Sequence, residues 1–229
     1  MSKQDESDLF RKIDDRKTTL ANNLLRWSKE NSPEYPWRKT SDPYHIMISE
    51  MLLRRTRASS VIEVYKKFIK KFPTVFSLAK SDIEEIENVI QSLGMKSRSD
   101  KMKSAANIIV EKYSGNLPSK ESELLAIVGK ESQYTVNAIR CFGLEQRVPI
   151  FDVNVKRIFE RVFSIHFGKA AHKKKSSWEI VSSAVPDKNI RQYNWALLDL
   201  GKSVCTVAEP ECPICPLKSI CDYGSKKTV

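Results

Sequence analysis

No apolar run in this chain approaches the ~18 residues that a membrane span requires, so no membrane partner is expected. The start, MSKQDESDLFRK, lacks the apolar core of a secretory signal peptide, and a cytoplasmic, nucleoid-associated protein is the expectation. Internal repeats and low-complexity tracts are also missing. So is any alternation of apolar and polar residues long enough to build a sheet. These absences set aside membrane proteins, repeat arrays and sheet-based folds, and point to an all-α protein. Acidic residues are in deficit, with 28 Asp and Glu against 39 Lys and Arg, a formal charge of +11 and a pI of about 9.4. That excess suits a polyanion partner, because each phosphate contact releases condensed counterions; ordinary solubility charge would give the same composition. At 229 residues the chain can form one large or two small domains with their own cores.

Helical punctuation runs almost throughout. Asp42-Pro43 reads as a helix start, a capping carboxylate followed by proline at the first helical position, leading into IMISEMLLRRT. Val61, Tyr65, Phe68 and Phe72 then recur at helical spacing, with Lys66, Lys67, Lys70 and Lys71 between them. Ser81 and Glu84 are expected to form a capping box for a helix whose stripe is Ile83, Ile86, Val89, Ile90 and Leu93, stopped by Gly94. Met102, Ala106, Ile109 and Tyr113 mark another helix, which ends near Gly115. A helix pair is expected over 121–128 and 134–142, joined by the short turn GKESQ. Asp152 precedes a further helix carrying Val155, Ile158, Phe159 and Val162, and His172-Lys173-Lys174-Lys175 reads as a solvated loop.

Four of the five cysteines fall within seventeen residues: Cys205, Cys212, Cys215 and Cys221, spaced C-x6-C-x2-C-x5-C. Four thiolates so close can wrap a tetrahedral metal or a cubane iron–sulfur cluster. Zinc ribbons more often show two CxxC knuckles, and only one stands here. Zinc and disulfides remain the alternatives, the latter disfavoured in a reducing compartment. Pro210, Pro213 and Pro216 stiffen the loop, and Lys202 and Lys218 lie near it as candidate phosphate contacts. Cys141 is left over as a small buried apolar residue.

The cysteine loop, together with YPWR (35–38), DPYHIMISEMLLRRT (42–56), KKFP (70–73), SLGMKSRSDKM (92–102), VPIFDVNVKR (148–157) and NWALLDLGKSVC (194–205), resembles the endonuclease III superfamily of helix-hairpin-helix DNA glycosylases over roughly residues 20–223. The resemblance implies a [4Fe–4S] cluster on Cys205, Cys212, Cys215 and Cys221, acting as a structural staple. It also implies two helical domains flanking a DNA-binding cleft. One is a six-helix domain over 38–146, with the helix-hairpin-helix at about 121–144. The other is a cluster domain of 1–37 plus 147–229. The expected partner is double-stranded DNA containing a mispaired or damaged base, bound by a monomer.

Breaking an N-glycosidic bond develops positive charge on the sugar and negative charge on the leaving base. The family's catalytic aspartate aligns with Asp152, whose alternative role is to cap the helix it precedes. Asn154 matches a family asparagine that orients Asp152 or water. Glu50, inside an otherwise apolar helix, matches the glutamate that works on the flipped base or the attacking water; burial would raise its pKa, whereas a solvent-facing helix glutamate is the plain alternative. Tyr134 stands where bifunctional members carry a Schiff-base lysine, which implies a monofunctional enzyme; packing alone would also account for an aromatic there. Gly129 alone survives of the hairpin's usual glycines, with Lys130, Glu131 and Ser132 in place of the rest, so Lys130 is left to supply the phosphate grip by direct charge.

Two branches of the family are resembled: thymine mismatch glycosylases, which act on T or U opposite G, and adenine glycosylases, which act opposite 8-oxoguanine. Arg54-Arg55-Thr56 resembles the thymine branch, where Arg55 fills the flipped base's space and meets the opposite guanine; a phosphate-binding or surface arginine is the alternative. The adenine branch has glutamines in place of Arg54-Arg55 and tyrosines in place of Met95-Lys96, and a further recognition domain, whereas only six residues follow Tyr223. Arg54, Arg55, Lys96, Gly129 and Lys130 are the expected DNA contacts. Thymine or uracil opposite guanine is the expected substrate, with adenine opposite 8-oxoguanine or guanine the alternative. A non-catalytic iron–sulfur DNA-binding protein would keep the fold, but the joint presence of Glu50, Asp152 and Asn154 argues against it.

Overall fold

A computed structural model describes residues 3–94, 97–129 and 133–226. The helices, in chain order, are α1 (Lys3–Asn31), α2 (Pro43–Leu53), α3 (Ala58–Lys71), α4 (Val75–Lys80), α5 (Ile83–Ile90), α6 (Ser97–Tyr113), α7 (Glu121–Val128), α8 (Gln133–Ala138), α9 (Val153–Phe163), α10 (Lys175–Ser183), α11 (Ile190–Ser203) and α12 (Asp222–Lys226). No strand occurs among the described residues, so the fold is all-α. The chain divides into two compact units: Glu34–Gln146, and Met1–Pro33 with Arg147–Val229.

In the unit Glu34–Gln146, α2 starts where the sequence places it. The Asp42 carboxylate accepts from the amides of Tyr44 at 2.8 Å and His45 at 3.4 Å, and Pro43 occupies the first turn, where no amide hydrogen is needed. The α3 stripe of Val61, Tyr65 and Phe68, with Phe72 just beyond it, is buried, while Lys66, Lys67, Lys70 and Lys71 stay exposed. Burying each such side chain is worth about 1.5–3 kcal/mol, which far exceeds intrinsic helix propensity. The start of α5 differs from the sequence expectation by one residue. Asp82, not Ser81, is its N-cap, paired with Glu85, whose carboxylate accepts from the Asp82 amide at 3.2 Å. Ser81 instead closes α4, its hydroxyl donating to the Leu78 carbonyl at 2.8 Å. Both residues are good caps; the register follows the reach of Glu85 and the burial of Ile86 and Ile90.

The helix expected over 134–142 is also divided. α8 passes at Ala138 into a π-helical turn, Ile139–Gly143. A Cβ on Gly143 would lie 2.8 Å from the Pro43 Cα, so only glycine lets this turn press against the first turn of α2.

In the other unit, α1 packs on α11 and α9 through Ile13, Leu20 and Leu24, and the expected α9 stripe of Val155, Ile158, Phe159 and Val162 is buried. Asp222 receives Lys12 and Arg16 from α1, tying the C-terminal segment to that helix. Burial would raise the Asp222 carboxyl, but hydrogen bonds and charge from Lys12 and Arg16 outweigh it and hold the carboxyl below its ordinary value. The stretch from His172 to Lys175 is solvent-exposed, yet it is not a plain loop. A short 3-10 turn, Ala171–Lys173, leads directly into α10, because buried Ala171 anchors it.

Candidate functional site

Asp152 is the N-cap of α9. One carboxylate oxygen accepts from the backbone amides of Asn154 and Val155, both at 2.8 Å. Its other oxygen accepts from the Asn154 side-chain amide at 2.8 Å. Capping and orientation thus use different oxygens of one half-buried carboxylate, and the helix N-terminus favours its negative charge. Asn154 is held in turn by Arg157, whose Nη2 donates to the Asn154 Oδ1 at 2.9 Å and to the Gly201 carbonyl at 2.5 Å, while its Nε donates to the Cys205 carbonyl at 2.7 Å. A Cβ on Gly201 would sit 2.6 Å from that of Asn154, so α11 can approach here only through glycine. Val153, between the two polar residues, is 73% exposed and presents an apolar side chain beside the carboxylate.

Glu50 lies on α2 among buried Ile46, Met47 and Ile48, and is itself buried. This is the burial that its apolar setting suggested, not the solvent-facing alternative. Desolvation pushes its carboxyl up to about 7, against an opposing pull from the positive charge of Arg38. Arg38 ends the 3-10 turn Pro36–Arg38 and lies 5.1 Å from the centroid of the Tyr35 ring. Near pH 7 a carboxyl so placed can hold or release a proton.

Beyond α2, Arg54 and Arg55 are exposed, and Arg55 has a left-handed backbone with φ of 58°. Gly129 caps α7 with φ of 99° and is exposed, and Tyr134 stands half-buried in the first turn of α8. Lys96 and Lys130, with Met95, Glu131 and Ser132, lie outside the described residues.

Cys205, Cys212, Cys215 and Cys221 line one pocket, together with Arg161, Pro210, Lys218 and Tyr223. None of the five cysteines is in a disulfide, and Cys141 is fully buried. Burial first, and the neighbouring thiols next, push the Cys215 thiol up to about 11, against a backbone hydrogen bond at Leu217 that lowers it. Among the described residues no three His, Cys, Asp or Glu side chains converge closely enough to hold a single metal ion. The Cys205 sulfur accepts from Arg161 at 3.3 Å, and the same guanidinium donates to the Thr206 carbonyl at 2.6 Å and the Val207 carbonyl at 3.0 Å.

The structure therefore draws Asp152 and Asn154 together on α9 and gathers the four cysteines around one pocket. Sequence reasoning missed Arg157, Arg161 and Gly201. The two arginines stand four residues apart on the polar side of an amphipathic helix that begins at a candidate carboxylate, a usable signal. Gly201 gave none, because a close helix approach leaves no mark in a lone glycine.

The profile of the HhH-GPD superfamily of base excision DNA repair proteins matches residues 48–183. A thymine/uracil-DNA glycosylase of Methanothermobacter thermautotrophicus is 30% identical over 212 residues, spanning 92% of this chain and 95% of the relative. An adenine DNA glycosylase of Buchnera aphidicola (subsp. Baizongia pistaciae) is 34% identical over 186 residues, spanning 81% of this chain but 52% of that protein. Among solved structures, a thermostable thymine-DNA glycosylase superposes with a TM-score of 0.85 at 29% identity, over 93% of this chain and 98% of that one. An endonuclease III–DNA covalent intermediate shares the fold, with a TM-score of 0.74 at 18% identity over 100% of both chains. With profile, full-length relatives and fold in agreement, the chain belongs to the HhH-GPD superfamily of base excision DNA repair proteins.

Proposed function

We propose that this chain is a monofunctional DNA glycosylase that takes thymine or uracil mispaired with guanine out of duplex DNA, hydrolyses the N-glycosidic bond and leaves an abasic site. The observation that carries this reading is the divided Asp152 carboxylate, pinned by the α9 amides on one side and by Asn154 on the other. A fixed negative group of this kind stabilises positive charge developing at C1′ without reorganising during the reaction. Glu50, protonated at or below about pH 7, supplies a hydrogen to the departing base. Tyr134 has no amine with which to attack C1′, so the strand is left uncut. Arg55 meets the guanine opposite the flipped nucleotide, and Arg54, Gly129, Lys96 and Lys130 serve the backbone.

The preference for thymine or uracil rests on Arg54-Arg55 and on similarity to a thymine/uracil-DNA glycosylase over 95% of its length. The adenine reading is the second one, favoured by the somewhat higher identity to adenine DNA glycosylases over a part of their length. Cys205, Cys212, Cys215 and Cys221 would hold a [4Fe–4S] cluster: four free thiols, spaced C-x6-C-x2-C-x5-C, share one pocket. Such a cluster braces the loop that follows α11.

The deciding experiment is base release from a panel of single-mispair duplexes with borohydride present. Thymine and uracil opposite guanine should be released, strands should break only on alkali treatment, and no covalent adduct should form. The protein should carry about four irons. Preferred release of adenine would favour the second reading, and an efficient borohydride adduct would refute monofunctional chemistry. One zinc with no iron would refute the cluster.

A further inference from the structure

Arg98 is an unexpected resident of a protein interior. It sits in the first turn of α6, 4% exposed, and no carboxylate forms an ion pair with it among the described residues. Burial, and then the nearby charge of Arg54, pull its pKa below the ordinary arginine value. Its partners are instead the end of α2 and the turn beyond. Nη1 donates to the Leu52 carbonyl at 2.8 Å, and Nη2 donates to the Arg54 carbonyl at 2.8 Å and to the Thr56 hydroxyl at 3.2 Å. The last carbonyls of any α-helix lack intrahelical donors, and a buried orphan is costly. A planar guanidinium can serve acceptors on either side of a turn at fixed geometry, which an ammonium cannot.

What this fork encloses is Arg55. The chain leaves α2 with Arg54 extended, at φ −58° and ψ 113°, then takes a left-handed step at Arg55, φ 58°, before Thr56 returns its amide to the Leu53 carbonyl at 3.0 Å. A long side chain with a Cβ disfavours that backbone, which persists only where its surroundings impose it. The grip on Arg54 and Thr56, the two neighbours of Arg55, imposes it here and leaves the Arg55 side chain exposed. We infer that Arg98 is a positioning residue for opposite-base recognition: it locks the Arg54–Arg55 turn in the strained conformation that presents Arg55 to DNA. This rests on the proposed meeting of Arg55 with the opposite guanine.

The test uses Arg98→Lys, which keeps the charge and much of the volume but loses the fork, with Arg98→Met as a second variant. The readout is the single-turnover rate for uracil opposite guanine divided by that for uracil opposite adenine. General loss of folded protein lowers both rates alike and leaves the ratio in place. The ratio should fall about tenfold in Arg98→Lys, as for a lost specific base contact, and at least as far in Arg98→Met. Adding Arg98→Lys to Arg55→Ala should then produce no further fall, since both act through one contact. An unchanged ratio, or effects that multiply, overturns the inference. Hydrogen exchange keeps it testable whatever base proves to be the substrate: amides 54–57 should exchange faster in Arg98→Lys while those of the α2 interior do not. Unchanged exchange at 54–57 would sink the positioning role, whereas failure to release uracil or thymine would sink only the functional reading.

Discussion

At the residue scale the two carboxylates differ because their surroundings differ. Asp152 accepts three hydrogen bonds at 2.8 Å, which hold its charge in place. We predict that Asp152→Asn lowers single-turnover base release by two or more decades, about 3 kcal/mol or above, while binding of the mispaired duplex changes little, because the lost charge acts on the transition state. Normal turnover in that variant would remove Asp152 from the chemistry. Glu50 is set by burial, which raises its carboxyl to about 7. Unfolded, the same group ionises near its ordinary 4.5. The folded state therefore loses stability as pH rises from about 4.5 to 7, because only the unfolded chain releases the proton freely there. Glu50→Gln should consequently be more stable than the parent at pH 8, by something on the order of 3 kcal/mol, with the two melting curves converging near pH 4. Activity should move the other way: base release by the parent should fall above pH 7, and the glutamine variant should be slow but without that limb. Equal stability at pH 8 and pH 4 would show that Glu50 is hydrated. The burial of Glu50 was legible in the sequence from its apolar neighbours. The identity of Arg38 as the opposing charge was not, since the two stand twelve positions apart and only the folded turn brings that charge to bear.

At the element scale the helices were readable where cap and stripe agreed, as at Asp42-Pro43 and Asp152. They were misread where two caps competed, Ser81 against Asp82, or where helical geometry changed within one apolar pattern, as at the π turn Ile139–Gly143. Periodicity is blind to a single inserted residue per turn. Helix-on-helix approach is equally invisible, and it decides the position of Asn154. Gly201→Ala would place a methyl 2.6 Å from the Asn154 Cβ, with backbone atoms of Asn154 also within 3.4 Å, so α9 must move at its first turn. Alanine normally favours a helix over glycine by about 0.5–1 kcal/mol. We predict that here the sign reverses: Gly201→Ala lowers the melting temperature and slows base release, with little change in DNA affinity. A more stable and fully active Gly201→Ala protein would show that the Asn154 contact has slack.

At the scale of the whole molecule the +11 charge suits a polyanion partner, although ordinary solubility charge would give the same composition. Charge is additive and carries no address. It cannot say which cations touch phosphate and which read a base, and Arg54 and Arg55 stand side by side with the same side chain. Salt separates them. Each phosphate neutralised in B-DNA contributes about 0.9 to the slope of log affinity against log salt, whereas a base-edge hydrogen bond releases no condensed ion. The parent protein, on a duplex with one thymine opposite guanine, should show a slope at least as steep as about −3, corresponding to three or more phosphates. Arg54→Ala should flatten that slope by about 0.9, with affinity lost equally for every opposite base. Arg55→Ala should leave the slope near the parent value and instead cost ~1–3 kcal/mol of preference for guanine opposite the target. If Arg55→Ala flattens the slope and keeps the preference, Arg55 is a phosphate contact. The left-handed turn that Arg98 holds then serves the backbone grip, and opposite-base recognition must be sought elsewhere on the chain.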